Sequence, residues 1–444
     1  MKARIYMDHA SATPLDGRVR DRMEPYGEMA YGNPSALHTE GRMAKIALDE
    51  SRAIIAGILH ARPQELVFTG SGTESANLAI QGTVASCQLP VASNIQNRVH
   101  FSGNWKLETG NFLPHVITSV IEHHAVLEPI RDLEKRGVIT ATYLPVDADG
   151  RVDPRAVKAA LRSETVLVSI MYANNEIGTI QPTAEIAKVI RNWKKENGAP
   201  GRDTKEGAAP AYPYFHTDAC QAGNYLSLDV EKLGVDLMTL NGAKIYGPKG
   251  TGLLYVREGV QIEPVMRGGG HEMGLRAGTE NVAGIVGFAR ALKLTGDMRE
   301  TESVRLSEMR DHFAALIKEH IPEAVINGGM ENRLPNNLNI TLIPREGTVP
   351  RQNKNLWSNI IPDHEFLAIA LDERGIACST KSACDERDAE TSHVLLALRD
   401  AAETPDLPAS GLRFSLGRSS TADDVIHVVD ALKDILEIQR TTFS

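Results

Sequence analysis

Glu65-Leu-Val-Phe-Thr-Gly-Ser-Gly-Thr-Glu-Ser75 holds a strand, a turn and a helix start in one short stretch. The apolar run up to Phe68 reads as a strand. Gly70-Ser71-Gly72 is a glycine-rich turn, and Ser71 and Glu74 have capping-box spacing at the start of a helix over Thr73–Val84. Backbone N–H groups at such a helix start, here those of Gly72 and Thr73 with the Thr73 hydroxyl, suit a phosphate. Alone, the turn is equally an ordinary connection between a strand and a helix. The same alternation recurs outward. His115–Ile121, Thr165–Met171, Val235–Leu240 and Gly252–Val256 are short apolar runs, several without polar alternation, as expected when both faces of a sheet are covered. Helical patterns such as Thr183–Lys195 lie between them. The fold class is α/β with a mainly parallel sheet.

After about residue 300 the texture changes. An amphipathic stretch, Ser303–His320, precedes a strand-like Asn337–Leu342, a helix near Glu365–Arg374, a helix near Ser392–Asp400, a strand at Gly411–Leu416 and a helix from Thr421. Residues 15–300 are therefore expected to form a large domain, and 301–444 together with 1–14 a smaller α+β domain. Segments 86–114, 194–214 and 344–360 are polar, carry Gly or Pro and lack periodicity, so they read as loops or insertions.

The chain has 444 residues, 48 Lys+Arg against 57 Asp+Glu, and a net charge of −9. That balance argues against direct nucleic-acid or anionic-membrane binding as the main task. No apolar run approaches the roughly 20 residues of a membrane span. Four cysteines are too few for a disulfide framework, so free thiols in a reducing cytoplasm are expected.

Cys384, in Ser379-Thr-Lys-Ser-Ala-Cys-Asp-Glu-Arg-Asp388, sits among small and charged residues that offer no apolar face to hide it. It reads as a thiol on an exposed loop. Cys378 reads as a strand-end residue, Cys87 and Cys220 as core, and no second pair stands at zinc-ligand spacing, so no metal is expected. Upstream, Asp218 closes the probable strand Tyr214-Phe-His-Thr-Asp218, and Lys244 lies in Leu240-Asn-Gly-Ala-Lys-Ile-Tyr-Gly-Pro-Lys-Gly250. A lysine to hold an aldehyde as a Schiff base and a carboxylate to keep a pyridine nitrogen protonated are what pyridoxal phosphate requires. Strand ends are where parallel sheets place ligands.

Six stretches in order give the chain its resemblance. They are Gly32-Asn-Pro-Ser35, Thr69–Asn77, Ile121-Glu-His-His-Ala-Val126, Asn174-Asn-Glu-Ile-Gly-Thr-Ile-Gln-Pro182, Lys244-Ile-Tyr-Gly-Pro-Lys-Gly250 and Gly274-Leu-Arg-Ala-Gly-Thr279. The chain resembles the cysteine desulfurases, in the class V aminotransferase group of fold type I pyridoxal phosphate enzymes. The resemblance runs from Met7 to Arg418 outside the insertions. It implies a large domain with a seven-stranded sheet. It also implies roles: Lys244 for the Schiff base, Asp218 for the pyridinium nitrogen, His123 stacked on the ring as an acid/base, and Gln221 on the phenolic oxygen. Asn175 would position cofactor or substrate, Asn33 would contact substrate, and Arg413 would clamp the substrate carboxylate. Gly72, Thr73 and Asn241 would meet the phosphate, with Thr279 reaching it from the partner of a homodimer. Cys384 would be the nucleophile that takes sulfur from L-cysteine and carries it as a persulfide. Its loop resembles the long-loop branch, whose acceptors are iron–sulfur scaffold proteins and sulfur carriers for tRNA thiolation.

The sequence departs from that pattern in three places. Asn241-Gly-Ala243-Lys244 stands where the family usually has Ser-Gly-His-Lys or Ser-Ala-His-Lys, so a phosphate-touching imidazole is replaced by a methyl and weaker cofactor retention is expected. Lys381, Asp385 and Glu386 place opposing charges around the nucleophile. The insertions are the third departure. Alternatives within the chemistry are a selenocysteine lyase or a small-substrate aminotransferase; outside it, a non-catalytic relative serving as a binding or assembly module.

Overall fold

The computed structural model describes residues 4–88, 113–197, 212–343, 363–380, 391–404 and 408–443. Cys384, Lys381, Asp385 and Glu386, and most of segments 86–114, 194–214 and 344–360, lie outside the described residues. The strands are β1 (Ile5–Tyr6), β2 (Leu66–Thr69), β3 (His115–Ser119), β4 (Thr140–Leu144), β5 (Thr165–Ser169), β6 (Tyr214–Asp218), β7 (Leu237–Asn241), β8 (Gly252–Val256), β9 (Ala324–Ile326), β10 (Asn337–Leu342), β11 (Ile376–Ala377) and β12 (Leu412–Ser415).

Seven of them form one sheet in the order β2-β8-β7-β6-β5-β3-β4. The pairs from β7 to β4 are parallel, and β8 runs antiparallel to both β2 and β7. The continuous apolar strands β2, β3, β5, β6 and β8 are buried along their whole length because helices cover both faces. Alternate residues go to opposite faces. Leu66, Phe68, Leu253 and Tyr255 pack with helices Thr39–Leu59 and Thr183–Glu196. Val67, Leu254 and Val256 pack with helices Gly72–Gln88 and His124–Lys135. Strand β4, Thr-Ala-Thr-Tyr-Leu, escaped the sequence reading because it is a half-buried edge without a continuous apolar run.

The amphipathic stretch expected over Ser303–His320 is the second half of a 39-residue helix, Val282–His320. Its first half, Ile285 to Leu294, belongs to the large core, and its second half, Leu306 to Ile317, to a separate core. That second core also takes Met7, β10, β12 and the helix Ala422–Phe443. Here β12, β10 and β9 form an antiparallel sheet, while β1 pairs in parallel with β11. The N-terminal segment thus joins strands contributed by the C-terminal third of the chain.

Candidate active site

The carboxyl ends of β3, β6 and β7, with the segment just past β5, open onto one cleft, where an open parallel sheet holds its ligands. Lys244 ends the single 3₁₀ turn Gly242–Lys244 after β7. Its Nζ donates to Ala10 O at 2.9 Å and to Ser11 O. Asp218 ends β6, is 8% exposed, and accepts from Cys220 N at 2.9 Å. Gln221 Nε2 donates to Ala10 O at 2.9 Å. His123 caps the helix His124–Lys135, its Nδ1 accepting from Ala125 N at 3.0 Å, so in the neutral ring the proton sits on Nε2. All four of these side chains line the cleft, together with Asn175 and Asn241.

At one end of the cleft the helix Gly72–Gln88 begins. Ser71 Oγ caps Glu74 N at 3.1 Å, as the spacing predicts. The return contact differs: Glu74 Oε2 accepts from Gly70 N at 2.7 Å, and its other oxygen takes Arg276 Nε at 2.8 Å. The N–H groups of Gly72 and Thr73 are left at the mouth without intrahelical acceptors. A methyl at residue 72 would sit 2.8 Å from Cys220 Sγ and 3.4 Å from Asn241 Nδ2, so only glycine leaves that cradle open. Asn241 Oδ1 accepts from Ala243 N at 3.0 Å, which turns its amide NH₂ away from that contact and leaves it available as a donor.

At the other end stands Arg413 from β12, 1% exposed. Its Nη1 donates to Asn175 O at 2.9 Å, and its Nη2 to Asp8 Oδ1 at 2.8 Å and Ser11 Oγ at 2.6 Å. Its Nε is buried with no hydrogen-bond partner among the described residues. A guanidinium lining a cleft is able to hydrogen-bond a carboxylate.

Asn33 and Thr279 are not brought to the cleft. Asn33 is exposed and its side chain accepts from Ser35 N at 2.9 Å; Thr279 is exposed on the segment after Gly278. Three participants escaped the sequence reading. Asp8 and Ser11 are short polar residues in Met7-Asp-His-Ala-Ser11, where no periodic pattern marks them. Cys220, read as core, lines the cleft, and burial together with Asp218 pushes its thiol well above the usual range. Cys378 packs on the second core, its thiol pushed up to about 12 by burial.

The donor set fits pyridoxal phosphate: an amine, a carboxylate at a strand end, an imidazole wall and a glycine-opened helix N-terminus converge on one space. The comparisons agree. The model of the family described as "Aminotransferase class-V" matches residues 5–95, 97–199 and 205–428. A protein named cysteine desulfurase IscS from Dictyoglomus turgidum is 40% identical, over 99% of this chain and 96% of its own length. A solved structure titled NifS-like protein superposes with a TM-score of 0.79 at 29% identity, covering 98% of this chain and 100% of its own. Another, titled SspA in complex with cysteine, reaches 0.68 at 31% identity, covering 93% and 98%. On its matched length and on the side chains gathered at the ends of its sheet, the chain belongs to the class V aminotransferase family.

Proposed function

We propose that the chain is a pyridoxal phosphate-dependent cysteine desulfurase that converts L-cysteine to L-alanine and carries the sulfur as a persulfide on Cys384. The observation that carries the reading is the convergence of Lys244, Asp218, His123 and Arg413 on one cleft. The relatives named cysteine desulfurase, and the cysteine complex among the similar structures, support the same activity.

Bound pyridoxal phosphate would supply an electron sink that weakens the Cβ–Sγ bond of the substrate. Lys244 would hold the cofactor and move a proton to and from the substrate α-carbon. Asp218 would hold the proton of the ring nitrogen. Gln221 would donate to the phenolic oxygen, and His123 would wall the ring and act as an acid through its Nε2–H. Gly72, Thr73 and Asn241 would donate to the phosphate. Arg413 and Asn175 would orient the substrate carboxylate, with Asp8 and Ser11 holding the guanidinium in place. The Cys384 thiolate then attacks the substrate sulfur. A sulfur–sulfur bond forms, the Cβ–S bond breaks with its electron pair staying on carbon, and protonation of that carbon gives alanine.

The partner we assign is an iron–sulfur scaffold protein or sulfur carrier, consistent with the relatives' name, and the compartment is the cytoplasm. No helix among the described residues is long and apolar enough to cross a membrane. A homodimer is part of the same reading. Thr279 would complete a partner's phosphate site, and Asn33 a substrate site across the same interface. Met29, Tyr31, Leu37 and Ile46 are 67, 71, 88 and 58% exposed, and such exposed apolar side chains support a covering second copy.

The deciding experiment is mass spectrometry of the holoenzyme after incubation with cysteine. One added sulfur atom on Cys384, with alanine in solution, is expected. Undiminished alanine formation by Cys384→Ala would point to a thiol-independent lyase or transaminase. Strong preference for selenocysteine would point to a selenocysteine lyase. A protein that stays colourless with added pyridoxal phosphate would point to a binding module.

A further inference from the structure

One fully buried acid beside the cleft has no part in the chemistry above. Glu122 directly precedes His123 and is 0% exposed. Its Oε1 accepts from the Ser119 hydroxyl at 2.7 Å and from Met171 N at 2.9 Å. Its Oε2 is buried with no partner, and no cation pairs with the carboxyl among the described residues. Both protein contacts fall on one oxygen, which leaves the other free to carry a proton.

The same short segment is held from other sides. His393 Nε2 is 2.9 Å from Glu122 O, so Nε2–H is the donor. The His393 ring meets the His124 ring edge-on at 5.0 Å. Asn174 Nδ2 donates to Ile121 O at 2.9 Å. Glu122 itself bridges the end of β3, through Ser119, to the residue Met171 just past β5. His123 and Met171 both line the cleft.

We propose that Glu122 is a positioning residue that works as a neutral carboxylic acid: it ties β3 to the segment after β5 and so holds His123 over the cofactor site, without setting a second negative charge beside Asp218. The inference rests on the cofactor reading above. An ionised carboxylate with no counter-cation at this depth is strongly disfavoured, and one of its two oxygens has no donor among the described residues. Burial pushes the carboxyl up to about 8, against the pull of Met171 N–H and Ser119, with Asp218 adding to the push. A charged Glu122 would also compete with Asp218 for the positive ring nitrogen, whereas a neutral one serves only as a brace.

The test uses the holoenzyme and the variants Glu122→Gln and Glu122→Ala. Infrared difference spectra at neutral pH in D₂O, wild type minus Glu122→Gln, are expected to show the carbonyl band of a protonated carboxyl. Glu122→Gln is expected to keep pyridoxal phosphate affinity and kcat within about threefold, since an amide reproduces the neutral shape. Glu122→Ala is expected to lower kcat by about 10- to 100-fold through a displaced His123. Its KM for cysteine should stay within about threefold, because Arg413 is untouched, and the circular dichroism of the bound cofactor should change. A purely structural role would lower Tm and leave kcat per folded site and the cofactor signal alone. Absence of the band, or a Glu122→Gln enzyme as impaired as expected for Glu122→Ala, overturns the proposal. Both readouts stand if Glu122→Ala does not fold. The infrared band and the cofactor signal also remain readable if the substrate is not cysteine, so the two readings fail separately.

Discussion

The two ends of the cleft recognise anions by different means. One end is neutral: the N–H groups of Gly72 and Thr73, the Thr73 hydroxyl and the Asn241 amide. The other is a full charge, Arg413, buried and already balanced by Asp8 at 2.8 Å. In the reading above, the neutral end holds a phosphate that stays and the charged end a carboxylate that comes and goes. A resident anion is served by fixed dipoles that need not be neutralised when it is bound. A visiting anion needs a partner charge, and that charge must be kept company while it waits, because an unpaired buried guanidinium is costly. Asp8 and Ser11 do this.

The contrast breaks first at Arg413. Arg413→Ala should lower kcat/KM for cysteine by about 10²- to 10³-fold, since it removes a buried charged donor. Cofactor affinity should stay within about twofold; equal losses in both, measured by kinetics and by titration of the apoprotein, would merge the two ends into one unit. The next effect is at Glu122, a buried acid with no paired cation among the described residues. Burial pushes its carboxyl up to about 8 in the fold, above the ordinary value of 4.5, so the folded state holds a proton that the unfolded chain has released. Stability is therefore full below pH 4.5 and falls as pH rises toward 8. Between pH 5 and pH 8 wild type should lose up to about 4 kcal/mol relative to Glu122→Gln, an upper bound from linkage. Denaturant melts at both pH values check the sign.

At the neutral end Asn241→Asp should weaken pyridoxal phosphate binding by about 10- to 30-fold, because a carboxylate then faces the phosphate. Unchanged binding would mean that Asn241 does not face it. The smallest effect is Ala243→His, which restores a donor worth about 1 kcal/mol and should tighten the cofactor by about fivefold. A dissociation constant equal to wild type would show that the methyl costs nothing there.

The seven-stranded sheet, and the Lys244 and Asp218 that share one cleft at its strand ends, were legible because each has a local signature. Continuous apolar runs announced the strands β2, β3, β5 and β8, and the glycine turn at Gly70–Gly72 announced the helix start. Lys244 and Asp218 lie in stretches specific enough to be matched one by one. What was not legible depends on approach between distant segments. The antiparallel direction of β8 follows from which edge it joins, not from its own residues. Ser303–His320 could not show that it continues the helix begun at Val282, because its buried stripe changes core midway. Asp8, Ser11 and Glu122 carry no pattern of their own. Their importance comes from Arg413 and Lys244 in the first two cases, and from Ser119 and Met171 in the third.

The pairing of β1 with β11 bears on how the protein is made. Ile5 meets Ile376, Met7 N donates to Ala377 O at 2.8 Å, and Ser415 N donates to Met7 O at 2.7 Å. The carbonyls of Ala10 and Ser11, which receive the Lys244 amine, are therefore anchored by residues translated long after them. At roughly 5–20 residues per second the large sheet can assemble on the ribosome long before that anchor emerges. A sheet folded at that stage would leave Lys244 not yet held by those carbonyls. Cofactor capture during synthesis would then follow emergence of the later strands, and a chain truncated before β11 would lack the strand that anchors those carbonyls.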